Sequence, residues 1–142
     1  MAILQAQCTI FKYNVLCGLE DFLTPSLYTY KIALYNGNAS LSAETTAYTT
    51  TNEISGTGYT LGGATLTPIG PAYDTATNTA YVSFNNVTWS PASFTTSGAL
   101  VYNSTTNAAV CVLNFGSSKT ATNTFTITFP AATSTTAVLR IN

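Results

Sequence analysis

The sequence predicts an all-β protein. The expected fold is an antiparallel β-sandwich of jelly-roll or immunoglobulin-like type, with a short N-terminal helix or arm. Three observations carry that expectation. Short runs rich in β-branched and aromatic residues recur along the chain, separated by Asn- and Gly-containing turns. One of them, Thr124-Phe125-Thr126-Ile127-Thr128-Phe129, alternates strictly, with one face apolar and the other all threonine, as a half-buried strand does. Only the N-terminal stretch breaks this rhythm with a helical one.

In that stretch, Cys8–Leu23, the residues Phe11, Val15 and Leu19 recur every fourth position, with Leu16 and Leu23 beside them. This predicts a helix over Thr9–Cys17, capped by Gly18 and followed by Glu20-Asp21. The alternative is an extended arm packed across a sheet edge. From Leu27 to Tyr35 the pattern is that of a strand, running into the turn Asn36-Gly37-Asn38. Ser40–Glu53 is polar and predicts a long loop with room for a single helical turn. Ile54–Gly63 carries Gly56, Gly58, Gly62 and Gly63, so its backbone must bend or approach something closely. Glu53 stands just before it, placed to accept hydrogen bonds from the bent backbone and fix the loop.

Further strands are predicted at Ala64–Ile69, Ala80–Phe84, Val87–Trp89, Ser97–Tyr102, Val110–Phe115, Thr124–Phe129 and Ala137–Ile141. Asp74–Asn78, Asn85-Asn86, Asn103–Asn107 and Gly116–Ala121 read as turns. With 142 residues and no repeat or linker, the expectation is one domain, with residues 1–23 as its N-terminal arm or helix.

Composition narrows the chemistry. Only 6% of the residues are charged and there is no histidine; Thr, Ser and Asn take the place of charge. A Ser/His/Asp or Cys/His arrangement cannot be built. Lys12, Lys31 and Lys119 lie in unrelated segments, and the adjacent Glu20 and Asp21 are no sign of a catalytic pair. The expectation is therefore no enzyme, with no catalytic, cofactor-binding or metal residues and no cofactor. Three cysteines without histidine fall short of a zinc site. If Cys8 and Cys17 share a helix, about 13 Å separates them, too far for a disulfide. Free thiols acting as small apolar fillers, together with Cys111, are expected, as in a reducing cytoplasm.

The glycine run from Gly56 to Gly63 is not a phosphate loop: it lacks the spacing and the following lysine, and it leads into a strand instead of a helix. Four basic residues give nucleic-acid binding almost no electrostatic support. No run of about 20 apolar residues is present to span a membrane, and Met1–Gln7 lacks the positive charge of a secretory signal. A net charge of −1 gives little repulsion between copies, which suits a subunit of an assembly better than a free monomer. Trp89 and the phenylalanines fall in strands and are expected in the core, whereas Tyr28, Tyr35, Tyr48, Tyr59 and Tyr73 are candidates for a surface or interface.

Several segments together carry a resemblance. Tyr30-Lys31-Ile32-Ala33-Leu34-Tyr35 precedes the block Asn52-Glu53-Ile54-Ser55-Gly56-Thr57-Gly58-Tyr59-Thr60-Leu61-Gly62-Gly63. Val87-Thr88-Trp89, Gly98-Ala99-Leu100-Val101-Tyr102-Asn103 and Val112-Leu113-Asn114-Phe115-Gly116 follow. In order and wording they resemble a family of small virion structural proteins of tailed bacteriophages, from about Phe11 to Ile141. The resemblance implies a virion part made in a bacterial cytoplasm, either a head-decoration (cement) protein or a tail-associated one. The leading expectation is a capsid decoration protein that binds the major capsid protein of the outer shell as a homo-oligomer, a trimer at threefold positions. Many weak contacts repeated over a lattice would gain by avidity. The expected interface residues are Phe11, Tyr13, Phe22, Tyr48 and Tyr59. A tail, neck or fibre component, or a virion-surface carbohydrate-binding module, is the alternative.

Overall fold

The computed structural model describes residues 2–142. The chain forms β1 (Ala6–Gln7), α1 (Thr9–Leu16), β2 (Tyr30–Tyr35), β3 (Ala64–Thr65), β4 (Pro68–Asp74) and β5 (Thr79–Phe84). It continues with β6 (Val87–Trp89), β7 (Phe94–Asn103), β8 (Ala108–Ala121), β9 (Phe125–Ile127) and β10 (Leu139–Ile141). The fold is all-β with one short helix, and every strand pair within a sheet is antiparallel. A five-stranded sheet has the order β1-β8-β7-β2-β3, a three-stranded sheet the order β10-β5-β4, and β6 pairs with β9.

The core follows from the composition of the central strands. In β2, five of six residues are buried, and only Lys31 is half-exposed. Ile32, Leu34, Tyr35, Leu100, Val101, Val110 and Val112 are fully enclosed. Strands covered on both faces read as continuous apolar runs, and these do. Each such side chain contributes about 2 kcal/mol by leaving water. The strand with strict alternation behaves as expected: Ile127 and Phe129 are buried while Thr124, Thr126 and Thr128 are exposed. Thr126 shares a hydroxyl hydrogen bond of 2.9 Å with Thr88 across the β6–β9 pair.

Turn chemistry closes the two long hairpins. Asn78 before β5 and Asn107 before β8 have φ of 55° and 67°, the left-handed conformation that asparagine tolerates. The N-terminal helix ends as Gly18 predicts. Gly18 has φ +71°. The Leu19 amide donates to the Asn14 carbonyl at 2.8 Å and the Gly18 amide to that of Val15 at 3.2 Å, the paired bonds of a Schellman cap.

Four expectations need correction. Ala64–Ile69 is not one strand: β3 ends at Thr65, and Leu66 and Thr67 carry the chain from the five-stranded to the three-stranded sheet. Gly116–Ala121 is not a turn but the distal part of β8. Its register with β7 jumps between Gly98↔Asn114 and Thr96↔Lys119, so a bulge hides the strand in a polar sequence. Hydroxyl pairs Ser97–Ser118 and Thr95–Thr120, each at 3.0 Å, hold it.

Residues 2–23 carry the expected helix, α1, and are packed into the fold. Ile3, Cys8 and Phe11 are core residues and β1 pairs with β8. Third, the helical stripe is covered only in part: Phe11 is buried and Val15 half-buried, but Leu16 lies on the outer face of α1, and past the Gly18 cap Leu19 and Leu23 are exposed. Fourth, the Ser40–Glu53 loop forms no helical turn. It is laid along the sheet by single bridges from Leu41 to Ile3, Ala47 to Ala108 and Glu53 to Tyr35.

Candidate interaction surface

Two carboxylates organise the polar interior. Glu53 sits at the start of the glycine-rich segment, and its two oxygens are divided among three donors. Oε1 accepts from the Tyr59 hydroxyl at 2.6 Å and the Gly62 amide at 2.8 Å, and Oε2 accepts from the Tyr48 hydroxyl at 2.6 Å. The backbone bond expected of Glu53 is therefore present, with two tyrosines added. The Tyr59 oxygen also accepts from the Leu34 amide of β2 at 2.9 Å, which ties the loop to the sheet. Tyr48 stacks on Tyr102 at 4.6 Å, and Tyr102 donates to the Gly62 carbonyl at 2.6 Å. Burial and the bond to Glu53 push the Tyr48 and Tyr59 hydroxyls well above the usual tyrosine range. Burial, then the Glu53 charge, pushes Tyr102 up to about 12. These hydroxyls stay protonated and act as fixed donors.

Gly63 has to be glycine where this loop meets β2. A side chain there would place its Cβ 1.8 Å from the Ile32 carbonyl oxygen, on a backbone with φ +78°.

The second carboxylate, Glu20, lies just past the helix cap. Its Oε2 accepts from the Tyr30 hydroxyl at 2.8 Å and the Asn103 amide at 3.4 Å, and its Oε1 is buried without a partner. Burial raises its pKa against the lowering effect of the Tyr30 and Asn103 bonds. Next to it, Asp21 accepts from the Leu23 and Thr24 amides at 2.7 and 3.1 Å, and these bonds hold its carboxyl below the usual range. This pair is a device for seating the α1–β2 connection on the sheet.

The expected interface residues separate into two kinds. Phe11 is in the core, edge-on to Phe22 at 6.0 Å. Phe22 is half-buried and stacks on Tyr30 at 4.3 Å. Tyr48 and Tyr59 are half-buried with both hydroxyls spent on Glu53, and Tyr59 packs edge-on to Phe94 at 5.9 Å. Tyr13 alone of the five stands in solvent, 61% exposed. Among the other tyrosines marked for the surface, Tyr73 is exposed, whereas Tyr35 is fully enclosed and donates to the Thr49 carbonyl at 2.6 Å. Cys8 and Cys111 are buried fillers as expected, but Cys17 is exposed. Burial pushes the Cys8 thiol up to about 11.

The residues that sequence reasoning missed are leucines. Leu16 is 88% and Leu23 72% exposed, with Leu19 and Leu27 also in water. Tyr13 and Leu16 are three residues apart, so they share the outer face of α1. Leu16, Leu19 and Leu23 belong to the apolar pattern visible in the sequence, but the packing of α1 against β8 decides which side of the helix faces solvent. Among the described residues no group of three His, Cys, Asp or Glu side chains gathers to hold a metal ion, and no helix is long and apolar enough to cross a membrane. No family model, no curated protein and no solved structure matches this chain.

Proposed function

We propose that this chain is a structural protein of a bacteriophage virion, a capsid decoration protein that binds the outer shell as an oligomer. The observation that carries the proposal is the exposed apolar set Tyr13, Leu16, Leu19 and Leu23 on and just after α1. Large side chains left in water in this number mark a surface that another protein covers. The rest of the chain agrees with that reading. Four of its five carboxylates, those of Glu20, Asp21, Glu53 and Asp74, accept internal hydrogen bonds, and two cross-strand pairs of outer threonine hydroxyls bond to each other. The sheets are read here as the layers of a sandwich, whose rigidity would hold the α1 face in one place on a shell lattice. A trimer at threefold positions would pool three such faces, and binding only the assembled shell would raise the cost of pulling it apart.

The copy ratio of this protein to the major shell protein in purified virions, by quantitative mass spectrometry, tests the reading. A fixed large fraction of the shell count supports a decoration protein. A few copies per particle would move the chain to the tail or neck, and absence from particles would end the virion reading.

A further inference from the structure

The two larger sheets each end in an open edge, and the two edges face one groove. β1 closes the five-stranded sheet and β10 the three-stranded one, and among the described residues neither has a strand neighbour on its outer side. Where they meet, side-chain amides stand in for a missing strand. Gln7 Nε2 donates to the Arg140 carbonyl of β10 at 3.0 Å, and Gln5 Oε1 accepts from the Asn114 amide of β8 at 3.2 Å. The β1–β8 ladder stops at Ala6↔Val112, so the outer edge of β8 beyond it has no backbone partner in that ladder.

The groove between these edges has a volume of about 400 Å³, and its apolar lining includes the half-exposed Leu113, Phe115 and Val138. Gln7 and Arg140 also line an adjoining cavity of about 600 Å³ that reaches α1 at Lys12, Val15 and Leu16. Lys12 and Arg140 are two of the four basic side chains of the whole chain. Among the described residues no Asp or Glu side chain lines either cavity.

We propose that this groove receives an extended peptide segment of a partner protein. The segment adds a strand to the open β10 edge, takes over the Arg140 carbonyl from Gln7, and sets a carboxylate between Lys12 and Arg140. The occupant follows from the chemistry of the walls. Unpaired strand edges recognise extended backbone, and an apolar floor takes every second side chain of a strand laid over it. Two cations without an acidic neighbour in the lining favour a carboxylate, which also fixes the direction of the segment. An open edge is a hazard that proteins cover or charge, and Arg140 guards this one until the partner arrives. The inference rests on the reading of the chain as an assembly subunit.

The test is selection of random peptides of about eight residues, an ordinary strand length, on the immobilised full chain. Enriched peptides should alternate apolar and polar residues, carry an Asp or Glu, and bind more weakly as salt rises. Their binding should slow amide hydrogen exchange at Leu139–Ile141. The double variant Lys12→Glu/Arg140→Glu, at exposed positions, should keep its thermal midpoint and lose about tenfold in affinity.

No enrichment, peptides without a carboxylate, or equal binding to the double variant would overturn the proposal. So would self-association in sedimentation equilibrium that the double variant abolishes, since the occupant would then be a second copy. Failure of the virion reading is separable: the chain would be missing from purified particles while peptide selection stood.

Discussion

A carboxylate taken out of water needs donors on both oxygens. Glu53 has them, from Tyr48, Tyr59 and Gly62. Glu53→Ala would leave two tyrosine hydroxyls and one amide without their acceptor, so it should cost about 3 kcal/mol in urea unfolding. Glu20 lacks a partner on Oε1, and its pKa is raised by burial. A carboxyl whose folded pKa lies above its unfolded one favours the folded state most at low pH, and that advantage is lost as pH rises through the raised value. Glu20→Gln keeps an acceptor for Tyr30 without the charge. The variant should be more stable than the parent at neutral pH, and the gap should close on acidification below the usual carboxylate range. A constant gap across a pH series of thermal melts would refute this. The role of Glu53 was legible from its place before a glycine run. The pairing of Glu20 with Tyr30 and Asn103 was not, because Asn103 lies 83 residues further along the chain and Tyr30 meets Glu20 only when the α1–β2 connection folds back on the sheet.

The elements were legible wherever a local rule was strong. Helix α1, its glycine cap, the Asn-closed hairpins and the alternating strand at Thr124–Phe129 all follow from local rules. Two glycines separate kinds of constraint that look alike in sequence. Gly18 needs only its positive φ, since a Cβ there would meet nothing within 4 Å. Gly63 needs both its φ and the missing side chain, because the Ile32 carbonyl lies in the way. Gly18→Ala should therefore cost about 1 kcal/mol. Gly63→Ala should cost about 3 kcal/mol or more, because backbone must shift to admit the methyl. Equal losses for the two variants in chemical denaturation would contradict this. The distal half of β8 failed as a local prediction because its bulge uses turn chemistry, with Gly116 at φ +80° and its amide donating to Asn114 Oδ1 at 2.8 Å, while the hydroxyl pairs that continue the strand come from β7.

For the whole molecule, the N-terminal segment holds together two roles that sequence reasoning had merged. Its inner residues Ile3, Cys8 and Phe11 complete the core, so removing the segment would damage the fold along with any interface. Point changes on its outer face are the cleaner probe. Leu16→Asp with Leu23→Asp should leave the thermal midpoint within about a degree or two, as surface substitutions do. On the proposed function, the same pair should weaken association with isolated shells by about tenfold or more. A variant that decorates shells normally would remove the α1 face from the interface.

The sequence by itself determined the β character, the short capped helix, the near absence of acid–base chemistry and the hydrogen-bonding place of Glu53. Each of these depends on composition or on neighbours a few residues away. Tertiary structure alone decided which side of the N-terminal stripe faces water, which tyrosines are spent internally, and that two open strand edges meet at one groove. Those outcomes depend on contacts between distant segments. Periodicity records that a residue is apolar, but only the packed neighbours settle whether it is covered.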